Sequence, residues 1–400
     1  MRLSDPAGQT GGWILKSWRP YLWIILAGLI LYSKTLFFDF TNSDDKQLIV
    51  DNFGFISNIS NIPQAFQHKV FSKSPIPYYR PMLTLSLMFD AQIGGLNPFV
   101  YHLSNLAIHI LASCLLFVFL LRLGNNRSAS LFFSMLFTVH PVLTETVAWV
   151  PGRNDLLLAV FGILAFIFFL RYIQYGKLKY LFANTAFLIL ALFTKESAIM
   201  LVPLFLFYWY IRAPDIFSPK KLSSAAIVWL FSIAFWFTMR SAALSNDAFN
   251  ISLSGMLLYM VKSLPALIQF IGKVIIPANL SVFPTLCDTS FIYGVVSSVL
   301  IAAAFFFSKR TDKRMAAFGF LWFILFLLAS FVRPAHETVP DFQEHRIYVS
   351  VIGFIIALLE IDLLKDIDLM KNRVLIPCIL LTVIFSVVSF GYAENFRNGR

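Results

Sequence analysis

Asp44 and Asp45 stand side by side in SDDK, just after the first long apolar run of a 400-residue chain. Adjacent carboxylates repel, so one of the two should hold its proton more tightly than a lone aspartate. That suits a general base or a metal ligand; the plainer reading is a solvated turn. Asp51 is a third, more distant carboxylate. A second set lies in HPVLTETVAWVPGRND, which carries His140, Glu145, Arg153 and Asp155. Pro141 and Pro151 should break the helices there and shape a tight lid. Ionisable groups at membrane depth are functional candidates, and the structural alternative is an ion pair between Glu145 and Arg153 that holds the lid. Lys195 and Glu196 form a turn in FTKES. A lysine there could hold a phosphate as a point charge or snorkel to lipid head groups. Arg80, in YYRPM, is a further phosphate candidate, or else an interfacial anchor.

The densest cluster is VRPAHETVPDFQEHRIY, with His336, Glu337, Asp341, Glu344, His345 and Arg346. Arg346 opens an apolar run and so belongs at the phosphate level of a bilayer. A planar guanidinium at that depth can grip a lipid phosphate through two hydrogen bonds. The histidines and carboxylates lack HExxH spacing, so a divalent metal is not the favoured reading. No other cofactor is called for.

These groups need a scaffold, and composition says which kind. Hydrophobic residues make up 58% of the chain and charged residues 13%, with Phe alone occurring 44 times. A soluble domain carries roughly 25% charged residues, so the solvent for most of this chain is lipid. The net charge of +11 does not indicate nucleic acid, because the basic residues lie between apolar runs rather than on one module. Cys114, Cys287 and Cys378 are far apart and form no disulfide framework.

A spanning helix takes about 20 mostly apolar residues. Eleven stretches qualify or nearly do: 20–38, 100–121, 128–140, 155–172, 180–194, 197–211, 222–239, 290–307, 315–332, 347–364 and 374–393. A twelfth, 253–276, is interrupted by Lys262, Pro265 and Lys273. Charge bias chooses between the counts. With a cytoplasmic N-terminus (1–19) and eleven spans, short basic loops such as RLGNNR and SKRTDKR all fall inside. The segment 253–276 then reads as interfacial or re-entrant on the outer side, and 394–400 as an extracytoplasmic C-terminal stub. The candidate site residues all fall on the outer side, in the first loop (39–99), the lid, the FTKES turn and the last outer loop (333–346). The first loop is too long for a simple connection and should carry interfacial helices near 60–72 and 81–92. The expected fold is an all-α polytopic membrane protein of about 11 transmembrane helices.

The order of these motifs resembles a known family. An acidic pair follows the first span, then come VHPVLTETVAWVPGRNDLLLAVFGILAF and LALFTKESAIMLVPL, and EHRIYVSVIGF opens a late span. The pattern is similar to the membrane part of the transmembrane and tetratricopeptide-repeat O-mannosyltransferases and their bacterial relatives, from about residue 35 to the end. The resemblance implies a GT-C-like catalytic domain over 20–393 in a bacterial inner membrane or an ER-type membrane. It implies transfer of mannose or a similar hexose from a polyprenyl-phosphate-linked sugar donor to a hydroxyl acceptor, protein or glycan, by an inverting single displacement. The family carries a tryptophan before the acidic pair where this chain has Ser43. The family also continues into repeats after a segment like FRN at 396–398; such repeats are expected beyond Arg400, unless this is a catalytic unit without them.

In that setting Asp44 or Asp45 is the expected base, and Arg346, Lys195 and Arg80 are the expected phosphate cations. Two rival readings remain: a transporter or flippase, and a polysaccharide polymerase or ligase using lipid-linked sugars. Against the first, a transporter would place charges or broken helices near the midplane.

Overall fold

In the computed structural model the described residues are 13–71, 78–212, 219–244, 253–287, 289–332 and 342–397. His336, Glu337 and Asp341 lie outside them. Every regular element among the described residues is helical, as lipid demands of a backbone that must satisfy its own hydrogen bonds. The chain is an all-α polytopic membrane protein.

The helices that build the bundle are α1 (Arg19–Tyr32), α2 (Pro81–Gly94), α3 (Pro98–Arg122), α4 (Arg127–Val139), α5 (Thr144–Ala148) and α6 (Arg153–Tyr175). They continue with α7 (Leu178–Leu192), α8 (Leu201–Arg212), α9 (Pro219–Ala243), α10 (Leu253–Ser263), α11 (Ala266–Ile275), α12 (Ile292–Phe307), α13 (Lys313–Ser330), α14 (Tyr348–Leu358) and α15 (Asn372–Ala393). Local sequence sets their ends. Asn97 caps α3 ahead of Pro98, and Asn126 caps α4 by accepting the Ala129 N–H at 2.7 Å. Asp312 does the same for α13, accepting from Arg314 and Met315.

Each of the eleven expected stretches coincides with a helix, but length and composition qualify only six of the described helices as spans, or eight if two bent pairs each count once. Several of the others are short: α7, α8, α12 and α14 each run fewer than 18 residues. The stretch 347–364 is helical only to Leu358, after which Asp362–Lys365 forms a separate turn. The two bent pairs are instructive. α4 and the Pro141–Ala148 segment meet at 51°, where Pro141 ends the helix. α10 and α11 meet at 41° around Pro265, the geometry of a broken span or a re-entrant loop.

Lipid offers little hydrophobic drive for helix association, so close packing must hold the bundle. Phe166 of α6 is a hub, with ring centroids 5.3 Å from Phe119, 5.1 Å from Phe205 and 5.3 Å from Trp322. It thereby joins α3, α8 and α13. α13 and α14 touch backbone to backbone at two glycines. A Cβ on Gly319 would sit 2.6 Å from the Gly353 carbonyl, so neither helix tolerates a side chain there. Buried polar side chains add interhelical bonds. Asn184 donates to the Ala165 carbonyl (2.9 Å) and accepts from Trp229 (2.7 Å), tying α6, α7 and α9.

The first loop forms a second, smaller core at one end of the bundle. Leu48, Ile49, Ile56, Leu83, Leu87 and Met88 pack together with Tyr101 and Val150. The helix expected at 81–92 is α2. The one expected at 60–72 is a single turn, Ile62–Ala65, after a tighter turn at Ile59–Asn61, and residue 72 lies outside the described residues.

Candidate active site

A cleft of about 410 Å³ opens at the end of the bundle where the first loop sits. Its wall is assembled from helix ends. Asp44 comes from the turn after α1, and Arg80 from the residue before α2. Trp149 and Pro151 come from the lid, Asn154 and Asp155 from the first turn of α6, and Lys195 and Glu196 from the turn after α7. Trp236 and Arg240 lie near the end of α9, Ser330 ends α13, and Gln343, His345 and Arg346 precede α14.

The two aspartates part company. Asp44 lines the cleft. Asp45 is fully buried and accepts both the backbone N–H and the hydroxyl of Thr41 at 2.7 Å. Burial pushes the Asp45 carboxyl up to about 6, with the Thr41 bonds pulling the other way. Asp45 therefore shapes the turn that presents Asp44.

The cations are held to different degrees. Lys195 reaches both oxygens of Asp155, at 2.7 and 2.8 Å. Arg80 pairs with Glu196 at 3.2 Å and stacks over the Tyr78 ring at 4.0 Å. Arg346 donates to Gln343 at 3.0 Å. Arg240 also lines the cleft. In the sequence it reads as an ordinary basic residue snorkelling at the end of a span.

The lid is held otherwise than by a Glu145–Arg153 pair. Arg153 turns inward, fully buried, to Asp90 at 2.5 Å, with further bonds to Asn105 (2.7 Å) and the Tyr101 carbonyl (2.8 Å). Glu145 faces the other way: it accepts from the His345 backbone N–H at 3.0 Å and meets the His345 ring at 2.9 Å. The turn at Pro151–Gly152 separates the two. A Cβ at Gly152 would strike the Thr146 carbonyl at 2.4 Å, so the lid closes only over glycine. Asn105 closes the lid from below, donating to the Trp149 carbonyl at 3.1 Å.

His140 is not among the residues that line the cleft. Its ring contacts the Val274 carbonyl (2.9 Å) and accepts the Val142 N–H (3.2 Å), linking the lid to α11. Glu344 is buried against Lys273 of α11 and accepts the Ser281 N–H at 2.9 Å. Glu145 and Glu344 together anchor the turn that carries Arg346. Among the described residues no three His, Cys, Asp or Glu side chains gather as a metal site.

This architecture has known counterparts. No family model matches the chain. Protein O-mannosyl-transferase TMTC1 of Mus musculus is 34% identical over 164 residues, 37% of this chain and 17% of that protein. Protein O-mannosyl-transferase TMTC4 of Mus musculus is 28% identical over 211 residues, 47% of this chain and 28% of that protein. The chain thus spans less than a third of these relatives' length. Among solved structures, the archaeal oligosaccharyltransferase AglB of Archaeoglobus fulgidus, in complex with an inhibitory peptide and a dolichol-phosphate, matches with a TM-score of 0.52 and 13% identity. The match covers 96% of this chain and 56% of that one, and what it shows is a common fold. The chain is similar in sequence to part of the protein O-mannosyl-transferases and shares its fold with the oligosaccharyltransferase.

Proposed function

We propose that the cleft transfers a hexose, mannose or a close analogue, from a polyprenyl phosphate to a protein hydroxyl on the extracytoplasmic face. The observation that carries this reading is the meeting of Asp44 with Arg80, Lys195, Arg240 and Arg346 in one cleft at the end of an apolar bundle. Such a donor has a tail for lipid, a phosphate for the cations and a sugar for the aqueous side. The dolichol-phosphate in the complex of the fold relative supports a lipid phosphate as the ligand class.

In this mechanism Asp44 accepts the proton of the acceptor hydroxyl. The oxygen attacks the anomeric carbon and forms the new glycosidic bond. The bond from that carbon to the phosphate oxygen breaks, and its electron pair stays on the departing phosphate. Phosphate is a good leaving group, so no general acid is needed. Arg346 and Arg240 stabilise the charge that grows on it, a preorganised electrostatic role. Lys195 and Arg80 add positive potential from positions set by Asp155 and Glu196.

The orientation proposed with this mechanism has eleven spans, an inner N-terminus, an outer C-terminus, and α10–α11 re-entrant beside the cleft. The test is transfer of labelled mannose from polyprenyl phosphate to hydroxyl peptides by the purified protein. Transfer to glycan primers alone would favour a polysaccharide polymerase or ligase.

A further inference from the structure

A second cavity, of about 390 Å³, lies between α8 and α13. It is lined by Phe207, Tyr210, Ile211, Lys313, Arg314 and Ala317. Its place in the fold is fixed by the cleft. Ser197 and Ile199, just before α8, and Ser330, ending α13, line the active-site cleft. The second cavity sits at the opposite ends of the same two helices. α13 has 18 residues, so about 27 Å separates its ends, close to the thickness of a hydrocarbon core.

We infer that this cavity is a binding site for an anionic phospholipid of the leaflet opposite the active site. The phosphate would sit between Lys313 and Arg314, with one acyl chain along Phe207, Ile211 and Ala317. The charges support this assignment. Two neighbouring arginines are neutralised within the chain: Arg212 pairs with Asp312 at 2.8 Å, and Arg310 pairs with Asp362 and Asp366. The side chains of Lys313 and Arg314 form no ion pair with a carboxylate among the described residues; Arg314 meets Asp312 only through its backbone N–H. The Arg212–Asp312 pair ties the α8 end to the α13 start. Tyr210 is 68% exposed at the cavity rim, and tyrosines are enriched at membrane–water interfaces. A soluble phosphate would not use the apolar wall; a phospholipid uses both parts. Because the site is remote from the cleft, this inference does not depend on the sugar-transfer reading.

The test uses the whole purified protein and phosphatidylglycerol, phosphatidylcholine and inorganic phosphate as probes, with retained lipid counted by native mass spectrometry. Phosphatidylglycerol should be retained over phosphatidylcholine, and excess inorganic phosphate should not displace it. The Lys313→Gln/Arg314→Gln variant should lose this preference. Two basic groups near an anionic surface correspond to about a 30-fold effect. The Ala317→Trp variant, which fills the groove and keeps the charges, should also lose the lipid. Equal retention of both lipids by the natural chain, or unchanged selectivity in the Gln variant with an unaltered melting temperature, would overturn the assignment. So would displacement by phosphate alone.

Discussion

Arg153 and Asp90 form an ion pair 2.5 Å apart with neither side chain more than 1% exposed. The pair fastens α2 of the first loop to the start of α6, and so fixes the distance between Arg80, before α2, and Asp155, two residues after Arg153. Breaking a buried pair from one side leaves an uncompensated charge, at about 3–5 kcal/mol. Arg153→Met should therefore destabilise the protein strongly, and Arg153→Met with Asp90→Asn should recover part of the loss. Thermal unfolding in detergent checks this; equal melting temperatures for the single and double variants would mean that the pair is not coupled.

Asp45 makes a pH prediction. Its carboxyl is raised from 3.8 to about 6 by burial, so between those values the folded chain binds a proton that the unfolded chain has released. Stability from this group is therefore present below about 4 and is lost as pH rises through about 6. A shift of this size corresponds to roughly 3 kcal/mol. Asp45→Asn keeps the Thr41 bonds without the charge and should flatten the melting temperature against pH across that window. An unchanged slope would place the titration elsewhere.

Arg346 and Arg240 should behave as phosphate ligands. Removal of one preorganised donor at a developing anion typically costs about 10²–10³ in rate, so Arg346→Ala should lose donor use and turnover together. Arg346→Lys should recover only part, because the bidentate fork is gone. Arg240→Ala should lower donor use and turnover together in the same way. Kinetics over a range of donor concentrations separate these outcomes.

The proposed orientation is open to labelling. Arg397 is exposed beside Glu394. In a background free of Cys114, Cys287 and Cys378, Arg397→Cys should react with an impermeant maleimide from the extracytoplasmic side. Reaction from the cytoplasmic side only would mean that α10–α11 crosses the membrane.

Much of the cleft was legible because spacing brings ionisable residues to the ends of apolar runs. Asp44, Arg80, Asp155, Lys195, Glu196, His345 and Arg346 all stand at such ends, and all line one cavity. What spacing cannot show is direction. Asp44 and Asp45 are neighbours, and only the Thr41 bonds turn one inward. Glu145 and Arg153 are close in sequence, yet the turn at Gly152 sends them to opposite partners. Asp90, Asn105 and Lys273 carried no signal, because their partners lie on distant elements. The helices themselves followed from composition. Their lengths did not: α7, α8, α12 and α14 each run fewer than 18 residues, whereas the bends at Pro141 and Pro265 follow from the prolines themselves.

The central claim is that Asp44 is the base of a sugar transfer. General-base catalysis is worth about 10²–10⁴-fold. The direct measurement is single-turnover transfer of mannose from polyprenyl phosphate to a hydroxyl peptide, with the natural chain, Asp44→Asn and Asp45→Asn compared at equal protein levels. The account predicts a loss of about 10²–10⁴-fold for Asp44→Asn, with donor binding retained and a milder loss for Asp45→Asn. Near-normal transfer by Asp44→Asn would contradict it.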